Sequence, residues 1–233
     1  MNTDYDVEKG DNVHPGKPVT VDRYTAGARV NHWITAVSLV LLALSGLALF
    51  HPRLFFLTGL FGGGPLTRII HPWIGVVLFF SFFGLFLRFW KANLWKREDG
   101  TWLARIRDVL TGHEERLPDV GKYNAGQKFV FWSMSALIIV LITTGLIIWD
   151  QYFSIFTTIE QKRWAVLVHS IAAIFAISVW IIHVYAAIWV RGTIRAMTRG
   201  SVTGGWAWRH HRKWLRELVA KASKGKSGRT PAV

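Results

Sequence analysis

The sequence predicts an all-α membrane protein: a four-transmembrane-helix bundle with both termini cytoplasmic, plus an interfacial amphipathic helix in the middle loop. Three observations carry this. Four uncharged runs, Trp33–Phe50, Ile69–Leu87, Phe129–Trp149 and Trp164–Val190, each have 18 residues or more, the length a spanning helix needs. In a chain of 233 residues they leave too little polar sequence to cover them as buried helices of a soluble core. Finally, 24 of the 28 Lys and Arg fall in the N-terminal segment, the middle loop and the C-terminal tail, against 4 in the other two loops. Lys and Arg accumulate on the cytoplasmic side of a bilayer. Both termini and the middle loop are therefore expected in the cytoplasm.

Composition narrows the chemistry. The chain is 51% hydrophobic with 13 Trp and 15 Phe, and it has no Cys. That excludes thiolate-bound iron–sulfur clusters, disulfides and c-type haem attachment within it. The net charge of +14 would suggest nucleic acid for a soluble protein. Here the charges lie outside the apolar runs, so topology explains them and no nucleic-acid partner is expected. The start, MNTDYDVEKGDNVHPGKP, is polar and acidic, with neither the apolar core nor the cleavage site of a secretory signal. Residues 1–21 are expected to be a flexible extension.

Taken in order, the first span runs into HPRLFFLTGLFGGGPLTR, read as a short interfacial segment ended by the Gly62-Gly63-Gly64-Pro65 breaker. The second span leads to the middle loop. There Trp102, Leu103, Ile106, Val109 and Leu110 share one face of a helical wheel, with Arg105, Arg107 and Asp108 elsewhere. That pattern suits a helix lying on the inner membrane surface. After the fourth span, residues 201–233 form a basic, Trp-rich tail whose end, KASKGKSGRTPAV, is expected to be disordered.

The histidines carry the chemistry. His169 and His183 lie fourteen residues apart in span four. A helix returns to within roughly 40° of its starting direction over that interval and rises roughly 21 Å. Both imidazoles therefore share one face, one near each side of a hydrocarbon core about 30 Å thick. His71 opens span two on the outer side and His32 opens span one on the inner side. Depth thus pairs His71 with His169 and His32 with His183. Two imidazoles on different helices at one depth can take both axial positions of a haem iron. Filling both positions favours electron transfer over oxygen chemistry. Any one of these histidines alone is as readily a hydrogen-bonded core residue, but two depth-matched pairs favour ligation. His51 is read as interfacial and as the spare ligand for the outer site. His14, His113, His210 and His211 lie in polar segments and are expected to be solvated. Gly46, Gly75, Gly84 and Gly145 allow close approach of a helix or a macrocycle. Arg29, Arg68 and Arg191 can pair with haem propionates or anchor the membrane edge.

On the inner side, Asn124, Gly126 and Gln127 cluster where span three begins. Their amides can hold a quinone head group, or Asn124 can simply N-cap the helix. Both readings stand on the residues alone.

Several stretches together resemble the gamma (cytochrome b556, membrane anchor) subunit of respiratory formate dehydrogenase: RVNHW, RIIHPWIG, DVGKYNAGQKFVFWS, GLIIWDQYF, LVHSIAA and IIHVYAAIWVRGTI. The likeness spans roughly residues 22–220, and GKYNAGQK is its most specific part. It implies a four-helix di-haem domain over residues 22–200. It further implies two haem b groups held by His32, His71, His169 and His183. A quinone site, for menaquinone or ubiquinone, would be formed by Asn124, Gly126, Gln127 and His183. The implied partners are an iron–sulfur beta subunit and a molybdenum- or tungsten-pterin alpha subunit, with the heterotrimer able to form a higher oligomer. The expected role is electron transport in anaerobic respiration, from a periplasmic iron–sulfur subunit through two haems to a quinone reduced near the cytoplasmic side. The chain itself is not expected to act on formate. The alternatives are a di-haem anchor for a hydrogenase or sulfur-compound reductase, and a non-redox membrane scaffold. A reduced-minus-oxidised spectrum separates the scaffold from the other two.

Overall fold

In the computed structural model, residues 10–16 and 18–227 are described. In order, the described elements are β1 (Val13–His14), β2 (Thr20–Asp22), α1 (Ala26–Phe50), a 3-10 helix (Pro52–Phe61), α2 (Gly64–Phe89), α3 (Arg97–Ala104), α4 (Ile106–Leu110) and a 3-10 turn (Glu114–Arg116). Then come α5 (Ala125–Ile148), α6 (Asp150–Phe153), a 3-10 turn (Ser154–Phe156), α7 (Ile159–Trp189), α8 (Thr193–Arg199), β3 (Ser201–Thr203), α9 (Gly204–His210) and α10 (Arg212–Ser227). The chain divides into two compact units. One joins the described parts of Met1–Arg29, Arg88–Phe131 and Tyr185–Val233, and the other joins Val30–Leu87 and Trp132–Val184.

The second unit is made of the middles of α1, α2, α5 and α7. These helices have 25, 26, 24 and 31 residues and are long and apolar enough to cross a membrane. Even the shortest is about 36 Å long at 1.5 Å per residue, more than a hydrocarbon core needs. Large apolar side chains such as Phe80, Ile139 and Phe175 stay exposed, as they must where lipid replaces water. The protein is an all-α membrane protein with four such helices. After the first of them the loop does form a short element. His51 caps it by accepting a hydrogen bond from Arg53 N at Nδ1, 3.2 Å, so His51 is used as a helix cap. Gly62 ends it at φ 83°, where a Cβ would lie 2.8 Å from Leu66 Cδ2. Only glycine suits that position.

The first unit departs from two expectations. Residues 1–21 were expected to be a flexible extension, yet β1 and β2 lie in an antiparallel three-stranded sheet of order β1-β2-β3. Val21 pairs with both Val13 and Val202. The strands alternate sides, so Val21 and Val202 turn inward together. They pack with Ala196, Trp206, Ala207, Trp214 and Leu218, so the tail from residue 201 shares a core with β2. Its end was expected to be disordered, but α10 is helical through Ser227. Trp214 and Leu218, one turn apart, face the core. Residues 1–9, 17 and 228–233 lie outside the described part.

The middle loop is helical but bends. Arg105 (φ −106°, ψ 26°) ends α3 and starts α4, so the single apolar face read from the sequence is broken. Trp102 is buried with Val120 and Ala125, with Val109 and Leu117 against them. Leu103, Ile106 and Leu110 remain exposed. Asp99 ties this segment down: its carboxylate accepts from Lys96 N at 2.7 Å and from Lys128 Nζ at 2.6 Å. The Asp99–Lys128 ion pair is buried at both ends, 0% and 2% exposed.

Candidate functional site

The helices bring the four candidate histidines together as two pairs. The His32 and His183 ring centroids are 6.3 Å apart at 55°. Those of His71 and His169 are 6.4 Å apart at 67°. A metal–imidazole bond is about 2.0 Å, and the ring nitrogen stands about 1.1 Å from the centroid, so two imidazoles on one metal have centroids about 6.2 Å apart. Both separations suit a pair of axial ligands. Among the described residues no group of three or more His, Cys, Asp or Glu could hold a metal ion. Two imidazoles alone suit a metal that brings its own equatorial ligands, as haem iron does.

A hydrogen bond at one ring nitrogen fixes the tautomer and so which nitrogen offers a lone pair. Ser45 Oγ donates to Leu41 O at 2.7 Å and lies 2.7 Å from His71 Nδ1. The hydroxyl proton is used on the carbonyl, so the imidazole must donate: His71 carries its proton on Nδ1 and offers the Nε2 lone pair. Thr144 repeats the device. Its Oγ1 donates to Val140 O at 2.7 Å and accepts from His169 Nδ1 at 2.8 Å. Sequence reading missed both hydroxyls. The inner pair lacks this support at one end, because His32 Nδ1 is buried without a hydrogen-bond partner.

The glycines separate by what they face. A Cβ at Gly46 would lie 3.4 Å from His71 Cε1, and one at Gly145 would lie 3.6 Å from His169 Cε1. These two border the outer pair. A Cβ at Gly84 would lie 2.8 Å from Asn31 Nδ2, while Gly75 faces nothing within 4 Å. Gly84 therefore makes room for the Asn31 amide, whose Oδ1 accepts from Ser81 Oγ at 2.5 Å.

Asn124, Gly126 and Gln127 sit together at the start of α5. Asn124 N donates to Gln127 Oε1 at 3.1 Å, and Gln127 N donates to Asn124 Oδ1 at 3.0 Å. This is a reciprocal capping box, so the helix-start reading describes what the two amide oxygens do. Their amide nitrogens are not used in that box. Gly126 lies under Trp102, where a Cβ would meet Cη2 at 3.1 Å. The preceding residues, Val120 to Tyr123, are all buried. Arg29, read as a propionate partner or a membrane-edge anchor, donates from Nη1 to Thr198 O at 2.5 Å.

His211 overturns the expectation that it is solvated. It is 1% exposed, donates from Nδ1 to Gly121 O at 2.7 Å and lies 3.3 Å from Arg23 Nη2 at Nε2. Burial, and then the Arg23 guanidinium beside it, hold its pKa well below the usual histidine range. The neutral ring can accept from Arg23 while donating to Gly121. His14, by contrast, is exposed and paired with Asp22 at 2.6 Å.

A family model described as prokaryotic cytochrome b561 matches residues 23–200. Over 205 residues the chain is 44% identical to the formate dehydrogenase cytochrome b556(fdo) subunit of Escherichia coli (strain K12), which covers 88% of this chain and 96% of that protein. It is 41% identical over 199 residues to the nitrate-inducible formate dehydrogenase cytochrome b556(Fdn) subunit of the same organism, 85% of this chain and 92% of that one. With the formate dehydrogenase cytochrome b556 subunit of Haemophilus influenzae (strain ATCC 51907 / DSM 11121 / KW20 / Rd) the identity is 38% over 197 residues, 84% and 83% of the two chains. This chain belongs to the prokaryotic cytochrome b561 family, membrane cytochromes whose cofactor is haem b, and groups with the cytochrome b556 subunits of formate dehydrogenases.

Proposed function

We propose that this chain is the membrane cytochrome b subunit of a formate dehydrogenase complex and holds two b haems. His71 and His169 are the axial pair of the outer haem, and His32 and His183 that of the inner one. The observation that carries this reading is the pair of imidazole separations, 6.3 and 6.4 Å, each suited to one iron. Ser45 and Thr144 keep the Nδ1 protons of the outer ligands in place, so both Nε2 lone pairs face inward. When bound, the haems supply one-electron transfer across the membrane between a partner's iron–sulfur cluster and a quinone.

The partners are an iron–sulfur beta subunit and a molybdenum- or tungsten-pterin alpha subunit on the periplasmic side. The relatives are named as formate dehydrogenase subunits, and with no cysteine this chain cannot itself hold a thiolate-bound cluster; the two partner types follow from the resemblance carried by the sequence motifs. The distribution of Lys and Arg supports cytoplasmic termini in a bacterial inner membrane. Menaquinone or ubiquinone is bound through Asn124, Gly126 and Gln127. The free amide nitrogens of Asn124 and Gln127 are the donors a quinone carbonyl needs. The chain moves electrons and positions quinone. Formate oxidation belongs to the alpha subunit.

The test is haem content and spectrum of the purified complex. Two b haems per chain are expected, with His71→Ala and His169→Ala each losing the same one and His32→Ala and His183→Ala the other. A protein without a b-type α-band would be a scaffold and would overturn the reading. Two haems retained in any single variant would overturn the pairing.

A further inference from the structure

The buried end of the first unit holds a contact that the proposed function does not use. Lys122, two residues before Asn124, is 0% exposed at its side chain. Its Nζ donates to both carboxylate oxygens of Asp11, at 2.7 and 3.0 Å. Asp11 is 3% exposed and also accepts from Trp214 Nε1 at 3.0 Å. It comes from the segment before residue 23, where the family match begins. The sheet holds that segment: Asp22 N donates to Asn12 O at 2.8 Å, and β1 and β2 pair next to Asp11.

The same box contains a second cation. The Arg23 guanidinium is 2% exposed. It lies 5.1 Å from the Trp206 and Trp214 ring centroids and donates to Lys122 O. His211 holds the neighbouring Gly121 carbonyl. The backbone leading into Asn124 is thus gripped at two successive carbonyls and one ammonium. The ammonium contact reaches Asp11, before the family-matched stretch, and the Gly121 contact reaches His211, beyond it. A buried ammonium that loses this carboxylate is drawn out of the box, loses its proton or keeps a poorly compensated charge. The first outcome moves the backbone that carries Asn124 and Gln127.

We propose that Asp11 is a positioning residue for the quinone-side segment, fixing Lys122 and through it the start of α5. The proposal rests on the reading that Asn124, Gly126 and Gln127 bind the quinone. Asp11 touches neither quinone nor haem. It sets how well a pre-formed segment meets the head group, so it acts on quinone affinity and not on haem binding. The N-terminal segment is then a working part of the cytochrome.

The experiment uses the purified holo-complex with decylubiquinone and, separately, menadione as oxidants of the reduced haems. Asp11→Asn is expected to keep both haems and the rate at saturating oxidant, while raising the half-saturating concentration at least about fivefold, the scale of one lost charge-assisted hydrogen bond. Asp11→Glu is expected to restore most of the affinity. Trp214→Phe removes only one donor to Asp11. It serves if Asp11→Asn does not assemble, with an expected rise of about twofold to threefold. An unchanged half-saturating concentration in the assembled variant would overturn the proposal, and so would loss of haem or of the saturating rate in step with affinity. Asn124→Ala is run beside them. If it leaves affinity unchanged while Asp11→Asn lowers it, the quinone reading at Asn124 fails while the effect of Asp11 stands. If Asn124→Ala lowers affinity and Asp11→Asn does not, only the role of Asp11 fails.

Discussion

Replacing Ser45 by Ala tests the outer ligand pair most directly. Ser45 is 0% exposed, and its hydroxyl accepts the His71 Nδ1 proton at 2.7 Å. Alanine leaves that N–H buried without an acceptor. The hydrogen bond makes the imidazole more basic, which favours ferric over ferrous iron. Its loss should therefore raise the midpoint potential of the haem proposed to be held by His71. A neutral hydrogen bond contributes about 1 kcal/mol in net terms. A tenfold change in a one-electron equilibrium is about 59 mV or 1.4 kcal/mol, so full loss of that term from the ferric state alone corresponds to about 40 mV. Part of the bond survives in the ferrous state, so the expected rise is about 20–40 mV. Redox titration of the b-type α-band in purified complex measures it. Ser45→Thr, which keeps a hydroxyl, serves as the control. Ser45→Ala with both haems present and potentials within about 10 mV of the unchanged protein would refute the argument that the hydroxyl tunes His71. A shift confined to the haem lost in His32→Ala would refute the pairing.

Three further outcomes follow from packing and charge. His211 is neutral when buried, its pKa held well below 6.5, so the unfolded chain gains a proton on acidification while the folded one does not. Stability should be full above about pH 6.5 and fall by up to about 1.4 kcal/mol per pH unit below it. Thermal unfolding of His211→Gln in detergent should lose that part of the slope, and an unchanged slope would count against it. Asp99→Asn strands the buried Lys128 ammonium and should cost about 3–5 kcal/mol, whereas Asp99→Asn with Lys128→Met should recover much of it. A double-mutant cycle by thermal denaturation decides, and additive losses would dismiss the coupling. Gly62→Ala forces a Cβ at φ 83° and within 2.8 Å of Leu66 Cδ2. It should destabilise the protein by about 1–2 kcal/mol, seen as a lower melting temperature, while an unchanged one would show that the turn relaxes freely.

What the chain order alone decides is whatever depends on length, period and near neighbours. The four long helices were legible because a bilayer demands about twenty apolar residues in a row. The meeting of His32 with His183 and of His71 with His169 was legible because the fourteen-residue interval fixes face and depth on α7, while His32 and His71 each open a helix. Asn124 as the N-cap of α5 was legible because a cap bonds only a few residues ahead, while the return bond from Gln127 was seen only in the structure. Tertiary structure decided the rest. Ser45 and Thr144 lie 26 and 25 residues from the histidines they orient, and a serine or threonine inside a span looks the same whether or not a ring faces it. His211 looked solvated among Arg and Lys, but the box that buries it joins the nearby Trp206 to Gly121 and Arg23, both distant in sequence. The strands β2 and β3 stand at opposite ends of the chain, and no local period announces a pairing of three residues on each side. Asp11 reads as one more acid in a polar leader. Only when the chain ends meet does it become the counter-charge of a buried lysine, because a low-dielectric interior leaves Lys122 no water to take its place.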